Sequence, residues 1–252
     1  MAQGTSGKKI TIVGAGHMGT ALAKGLVRGG VPKSSVVLID KGDVVSPVGA
    51  ASIVFLAVKP SVVPEALRGI RHLLKGKLVV SLAAGVGVAT LKKYAGTGVR
   101  IARIMPNIPV AVNEGVVGLF APGFSTRERA ELITLLSRLG LCIEVKKENA
   151  LDALTLISGC GPGVVAYLVD ALAKNASRFG LKGFQAEQVA FQTFKGTLSY
   201  MQANLISAVR MQESVATKGG VTEAILSSFR TRGLQKDFER AMEAGKKKLR
   251  HV

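Results

Sequence analysis

The stretch KITIVGAGHMGTALAKGL, residues 9–26, leaves the chain few choices of fold. A β-branched run enters Gly14-x-Gly16-x-x-Gly19, and apolar residues then recur at helical spacing. That order of strand, glycine turn and helix opens a βαβ unit. Gly14 permits the tight turn, Gly16 lets the backbone approach a pyrophosphate, and Gly19 lets helix and strand pack closely. The positive end of the helix then faces the phosphates. His17 and Met18 lie inside the same loop, where His17 covers the pyrophosphate or faces solvent rather than acting as a base. A second run, VVLID, ends at Asp40, 26 residues after Gly14 and somewhat beyond the usual spacing of a ribose-binding acid. Asp40 suits NAD, because its carboxylate accepts from both ribose hydroxyls; Lys41 beside it suits the extra phosphate of NADP. The residues alone leave the two cofactors open.

The alternation continues to about residue 148. Runs such as SIVFLAVKP, KLVVSLAAGV, VRIARIMPNIP, EGVVGLFAP and GLCIEV are separated by amphipathic stretches. This rhythm predicts parallel crossovers and a doubly wound sheet of Rossmann type. Ser125 and Glu128 read as a capping box for the last of its helices. From residue 149 the grammar changes: ALDALTLISG, PGVVAYLVDALAKNASRFG, QAEQVAFQTFKGTLSYMQ and VTEAILSSFRTRG are apolar at helical spacing. The expected organisation is α/β, with a dinucleotide-binding domain over 1–148 and an all-helical domain over 149–252. Asn149 or Asp152 caps the first helix of that domain. Several helices are apolar around most of their circumference, which predicts packing against a second subunit.

The 34 Lys and Arg against 16 Asp and Glu give a net charge of +18. The basic residues are spread out except for the run Lys246-Lys247-Lys248-Leu249-Arg250, and no basic segment is interleaved with aromatics. A dedicated nucleic-acid binder is therefore not expected. No apolar run reaches the roughly 18 residues of a membrane span, and MAQGTSGKKITIVGAG lacks signal-peptide architecture. Cys142 and Cys160 fit no metal or redox spacing, so reduced thiols, a cytoplasmic setting and no metal are expected. His72 falls in an amphipathic helix and His251 in the tail, and no nucleophile motif is present. Any chemistry here needs little side-chain acid or base.

Six segments in order, VGAGHMG (13–19), LAVKP (56–60), SLAAGV (81–86), RIMPNIP (103–109), SGCGPGVVAYLVDAL (158–172) and ESVATKGGVTEAIL (213–226), resemble the pyrroline-5-carboxylate reductase family over nearly the whole chain. The resemblance implies NAD(P)H-dependent reduction of 1-pyrroline-5-carboxylate to L-proline, with NADP(H) favoured and NAD(H) possible. It also implies a homodimer formed through the helical domain, with a larger assembly of dimers as an option. By position it assigns Gly14, Gly16, His17, Met18, Gly19, Asp40, Lys41, Ala57, Val58, Lys59, Pro60, Ala83, Ala84, Gly85, Met105, Pro106 and Asn107 to the cofactor, with Asn107 as a hydrogen-bond partner beside the nicotinamide. It assigns Thr217, Lys218, Gly219, Gly220, Val221 and Thr222 to the substrate, the glycines leaving amides open for a carboxylate. Thr222 is expected to cap the next helix and turn its hydroxyl to the ring nitrogen.

Two departures stand out. Lys218 replaces the proline common in the family's turn, and only eleven residues, 41–51, separate VVLID from SIVFLAVKP where the family has a helix and a short strand. A parallel crossover ordinarily takes a dozen or more. The segment is either deleted or a mobile loop is absent from this sequence. The alternative enzymes are β-hydroxyacid or 6-phosphogluconate-type dehydrogenases, which need a lysine early in the second domain; here the only lysine of that stretch is Lys174. Outside catalysis, the alternatives are a dinucleotide sensor and a basic nucleic-acid binder on a Rossmann scaffold.

Overall fold

The computed structural model describes residues 8–249. The N-terminal residues 1–7 and Arg250 and His251 of the basic tail, on which expectations were placed above, lie outside the described residues. The chain divides into two compact units. Among the described residues, one comprises 8–162 together with Lys248 and Leu249; the other is Gly163–Lys247.

The first unit holds a seven-stranded sheet of β1 (Ile10–Val13), β2 (Val36–Ile39), β3 (Ile53–Leu56), β4 (Leu78–Ser81), β5 (Arg100–Pro106), β6 (Gly115–Phe120) and β7 (Gly140–Glu144). Their order is β2-β1-β3-β4-β5-β6-β7. Side chains alternate across the sheet, as the two-residue strand period requires. Ile10, Ile12, Phe55, Val80 and Ile104 face Leu22 and Leu26 of α1 (His17–Arg28) and Leu132 and Leu136 of α5 (Thr126–Leu136). Val54, Leu56, Val79 and Ile101 face Val48 of α2 (Ser46–Ala50), Leu67 of α3 (Val63–Ile70) and Leu91 of α4 (Val88–Ala95). Helices on both faces make the sheet doubly wound. The capping box at Ser125 forms as expected, with Glu128 bonding back.

The first five strands are parallel, but β6 runs antiparallel to β5. This corrects the expectation of parallel crossovers throughout. The residues between Pro106 and Gly115 make only a short 3₁₀ turn, too few to carry a chain back across a sheet face. The short link after β2 does complete its parallel crossover. β2 and β3 flank β1 in one register, Ile10 pairing with both Val36 and Ile53. The one-turn α2 is pinned beneath by buried Val48 and by the Thr11 hydroxyl, which donates to the Pro47 carbonyl at 2.9 Å.

After α6 (Ala150–Leu154) the chain remains helical through a π-helical turn, Thr155–Gly159, into α7 (Gly161–Arg178). Asn149 occupies the N-cap of α6 but makes no side-chain capping bond, and Asp152 lies in its first turn, so neither caps as expected. Pro162 has no N–H to offer the Ser158 carbonyl four residues back. The π turn instead closes through Cys160 N–H to the Thr155 carbonyl at 3.1 Å. The helix is thus not broken at SGCGPG. Ala150–Arg178 forms 29 helical residues that contain an 18-residue window of mean hydropathy 1.6, enough by length and composition alone to pass for a membrane span. That window averages over polar residues and is not an uninterrupted apolar run, since Asp152 and Asp170 bound the apolar stretch.

The second unit continues with α8 (Phe184–Ala203), α9 (Ala208–Val215), α10 (Val221–Thr231) and α11 (Leu234–Leu249). In α7 and α8 the buried residues are small: Ala173, Ala186 and Ala190. Tyr167, Phe184 and Phe191 are each more than three-fifths exposed in the isolated subunit. Apolar surface of this extent marks an association face.

Candidate active site

Parallel strands bring their carboxyl ends to one edge, and that edge gathers most of the residues singled out in the sequence. The order reverses at β1, between β2 and β3, which is where ligands of open α/β sheets sit. Gly14 leaves β1 there with φ +109°, its N–H bonded to the Ile39 carbonyl at 2.8 Å. A Cβ at Gly14 would lie 2.5 Å from the Ala57 carbonyl oxygen. One at Gly19 would collide with the Gly14 carbonyl, so this glycine sets the approach of helix to strand. Gly16 differs: a Cβ there meets nothing within 4 Å, and the residue is exposed. It is the N-cap of α1, with no side-chain cap and no acid in the first turn. The amides at this helix start are open to an anion, and the empty ground over Gly16 fits a pyrophosphate. His17 is exposed at the first helical position, while Met18 packs on the core.

At the end of β2, Asp40 is exposed. One carboxylate oxygen accepts from Lys41 N–H at 2.9 Å, and its own N–H donates to Asp43 at 2.8 Å. The Lys41 ammonium reaches Glu65 at 3.5 Å across open surface, a pair of little energetic weight. After β3 come half-buried Ala57, Val58 and Pro60 and exposed Lys59. After β4, Ala83 is buried while Ala84 and Gly85 reach outward. Met105 and Pro106 are buried at the end of β5, which gives Met105 a core position.

Asn107 is buried, and its amide is engaged within the fold. Its Oδ1 accepts from Val116 N–H at 2.8 Å, and its Nδ2 donates to the Ser158 carbonyl at 3.0 Å. That carbonyl is the one Pro162 cannot serve, so Asn107 supplies the missing bond. One Nδ2 proton is left over from this arrangement.

The turn at residues 217–222 belongs to the second unit. Gly219 takes φ +73°, and Gly220 N–H donates to the Thr217 carbonyl at 2.8 Å. Gly220, not Thr222, is the N-cap of α10; Thr222 is its second residue. The expected cap is thereby corrected, because the chain enters its helical dihedrals one residue after the second glycine. The Gly219 amide is not empty-handed: Glu223 reaches back from the first turn, and its carboxylate accepts from Gly219 N–H at 2.5 Å. Sequence reading missed Glu223, although an acid three positions into a helix is a recognised partner for amides at the helix start.

Elsewhere among the described residues the side chains offer no competing chemistry. His72 is exposed in a 3₁₀ turn after α3 rather than within the helix. The Cys142 thiol is pushed up to about 11 by burial and then by Glu144, and therefore stays protonated. Lys174 is exposed and paired with Asp170 at 2.6 Å, whose hydrogen bond raises its pKa and keeps it charged. That is the wrong state for the base of a β-hydroxyacid dehydrogenase. A cleft of about 390 Å³ lies at the opposite, amino-terminal edge of the sheet, but three of its four basic groups, all but exposed Lys75, are spent. Lys8 pairs with Glu131, Arg100 with Glu128, and Lys77 donates to the Gly49 and Ala51 carbonyls. Among the described residues no cluster of His, Cys, Asp or Glu could hold a metal ion.

A pyrroline-5-carboxylate reductase 3 from Danio rerio is 31% identical to this chain over 97% of it and 91% of the relative. The chain belongs to the pyrroline-5-carboxylate reductase family. A Pseudomonas aeruginosa family member is 29% identical, covering 94% of this chain and 93% of its own. The family model described as pyrroline-5-carboxylate reductase dimerisation matches residues 148–252, and one described as NADP oxidoreductase, coenzyme F420-dependent, matches residues 39–85. Among solved structures, the Coxiella burnetii reductase superposes with a TM-score of 0.87 at 26% identity, covering 97% of this chain and 98% of that one. The NADP-bound Plasmodium falciparum reductase gives 0.86 at 24%, covering 96% and 97%, a likeness of fold. The match over 148–252 accounts for the exposed apolar faces of α7 and α8: in this family that segment dimerises, and the chain forms a homodimer through it.

Proposed function

We propose that this chain reduces the cyclic imine 1-pyrroline-5-carboxylate to L-proline, using NADPH in preference to NADH. The observation that carries the reading is the turn at residues 217–222. Its Gly219 amide already holds a carboxylate, that of Glu223, at 2.5 Å. A backbone site that binds one carboxylate is chemically suited to another, and the N-terminus of α10 adds positive potential to the same spot. For the ring carboxylate to sit there, Glu223 must give up Gly219. Lys218, standing where a proline is common, adds a cation beside it.

The reduced nicotinamide, when bound, supplies the hydride. The residues of the chain bind, orient and screen. Gly14, Gly16 and Gly19 shape the pyrophosphate cradle, with His17 and Met18 in the same loop. Ala57, Val58, Lys59 and Pro60 border it. Ala83, Ala84 and Gly85 lie along the nicotinamide ribose, and Met105, Pro106 and Asn107 back the ring. Asp40 and Lys41 border the adenosine ribose, where the Lys41 ammonium can meet a 2′-phosphate. Thr217, Gly219, Gly220 and Val221 form the seat for the ring, and the Thr222 hydroxyl hydrogen-bonds the imine nitrogen, which takes its proton from solvent. No general base is demanded, in keeping with side chains that offer none.

An assembly of dimers, a cytoplasmic setting and independence from nucleic acid and membrane belong to this proposal. It is supported by two free thiols and by apolar helices assigned to subunit contact. The test is a spectrophotometric assay of the imine with NADPH and NADH side by side, with proline measured as product. Cofactor oxidation matched by proline, faster with NADPH, is expected. Salt-dependent retention on DNA with no oxidation would overturn the reading.

A further inference from the structure

Arg103 is a charged residue inside the sheet layer that no part of the proposed chemistry uses. It lies on β5, paired in register with Ser81 of β4, and is 4% exposed. One guanidinium nitrogen donates to the Glu148 carboxylate at 2.9 Å and the other to the Ala83 carbonyl at 3.4 Å. Its Nε has no partner among the described residues. Burying a guanidinium is costly, and truncating one partner of such a pair costs more than never having built it. A role is therefore to be sought in what the pair holds.

It holds the link from β4 to α4. The Ala83 peptide is gripped at both ends: its N–H donates to the Ser81 hydroxyl at 3.2 Å, and its carbonyl accepts from Arg103. The same Glu148 oxygen that meets Arg103 also accepts from Val88 N–H at 2.7 Å, at the first residue of α4. Glu148 comes from the connection between β7 and α6, sixty residues away in sequence. Residues 83–88 are thus fixed at both ends by one ion pair, while Ala84 and Gly85 between the anchors carry no such bond and reach outward. A planar fork that must satisfy a carboxylate and a carbonyl at once is work for arginine, not lysine.

We propose that Arg103, oriented by Glu148, is a positioning residue that sets the Ala83–Gly85 backbone against the nicotinamide end of the cofactor. This rests on the assignment of that backbone to the cofactor made above. Misplacing a reacting group by an ångström is enough to cost orders of magnitude in rate. The pyrophosphate cradle at Gly16 is elsewhere on the sheet edge and keeps its hold.

The test compares Arg103→Met, Arg103→Lys and Glu148→Gln with the parent homodimer. In Arg103→Met, kcat at saturating NADPH falls about 10-fold or more, and the emission of bound NADPH shifts toward that of free cofactor. Affinity for adenosine 2′,5′-bisphosphate, which lacks the nicotinamide, stays within about twofold of the parent. Arg103→Lys recovers only part of kcat, and Glu148→Gln, at a less buried site, shows the same pattern in milder form. A lowered Tm with parental kcat and parental cofactor emission in any folded variant would reduce the pair to a structural role. Equal loss of affinity for cofactor and bisphosphate would place its effect on the whole fold and overturn the proposal. Should Arg103→Met not fold, Arg103→Lys and Glu148→Gln carry the same comparison. A parent that leaves NADPH unoxidised in the presence of imine overturns the function itself, a result separate from these.

Discussion

Replacing Asn107 by alanine strips two bonds from the junction of β5, β6 and the π turn. Val116 N–H loses its acceptor at 2.8 Å, and the Ser158 carbonyl loses its donor at 3.0 Å. Leaving a covered amide unpaired costs about 1–3 kcal/mol, and the carbonyl, half-buried and able to find water, less than that. The sum is about 2–4 kcal/mol, a large share of the net stability of an ordinary domain. Asn107→Asp keeps the oxygen for Val116 but turns a carboxylate on the Ser158 carbonyl, so its loss falls on that side alone. Equilibrium denaturation in urea is the assay, at one protein concentration because subunit association contributes to stability. The midpoint should fall for both variants. If Asn107→Ala keeps the parental midpoint, whatever happens to kcat, its two bonds do not support the fold and the reasoning fails.

Thr222→Ala should lower kcat/KM about 10-fold or more, the loss of one hydrogen bond worth about 1–2 kcal/mol, since Gly220 and not Thr222 caps α10; unchanged kinetics in a folded variant would remove Thr222 from the mechanism. Gly16→Leu fills the open ground over the N-cap and should weaken cofactor binding in a titration, with Tm near the parent's because the site is exposed and a Cβ there meets nothing within 4 Å; normal binding would contradict the cradle. The Glu128 carboxyl is lowered from its ordinary 4.5 to about 2, first by the Ser125 amide, then by the Ser125 hydroxyl and Arg100. Its folded form holds a proton less readily than its unfolded form, so it stabilises above pH 4.5 and loses this as pH falls toward about 2. The Tm gap between parent and Glu128→Gln should therefore close over that window; a constant gap would deny the linkage.

Much of this was legible in the residues because it rested on local rules. Three glycines between a strand and a helix, a serine three before a glutamate, and a shift from two-residue to helical periodicity each fix structure within a few positions. The antiparallel β6 was readable too, in the short reach of residues 107–114, had that length been weighed against the cost of crossing a sheet. What sequence could not give is pairing at a distance. Nothing in RIARIMP marks Arg103 as the partner of Glu148, and nothing marks Asn107 as the donor that makes good the missing N–H of Pro162. The π turn is invisible for the same reason, since Gly161-Pro162-Gly163 reads as a break until the Asn107 side chain, just past β5, stabilises its continuation.

The central claim concerns one backbone amide, and a crystal of the homodimer soaked with NADP⁺ and L-proline tests it most directly. The proline carboxylate should lie on the Gly219 amide, with the Glu223 side chain swung away from the place it now holds. Proline bound elsewhere, with Glu223 still on Gly219, would contradict the account.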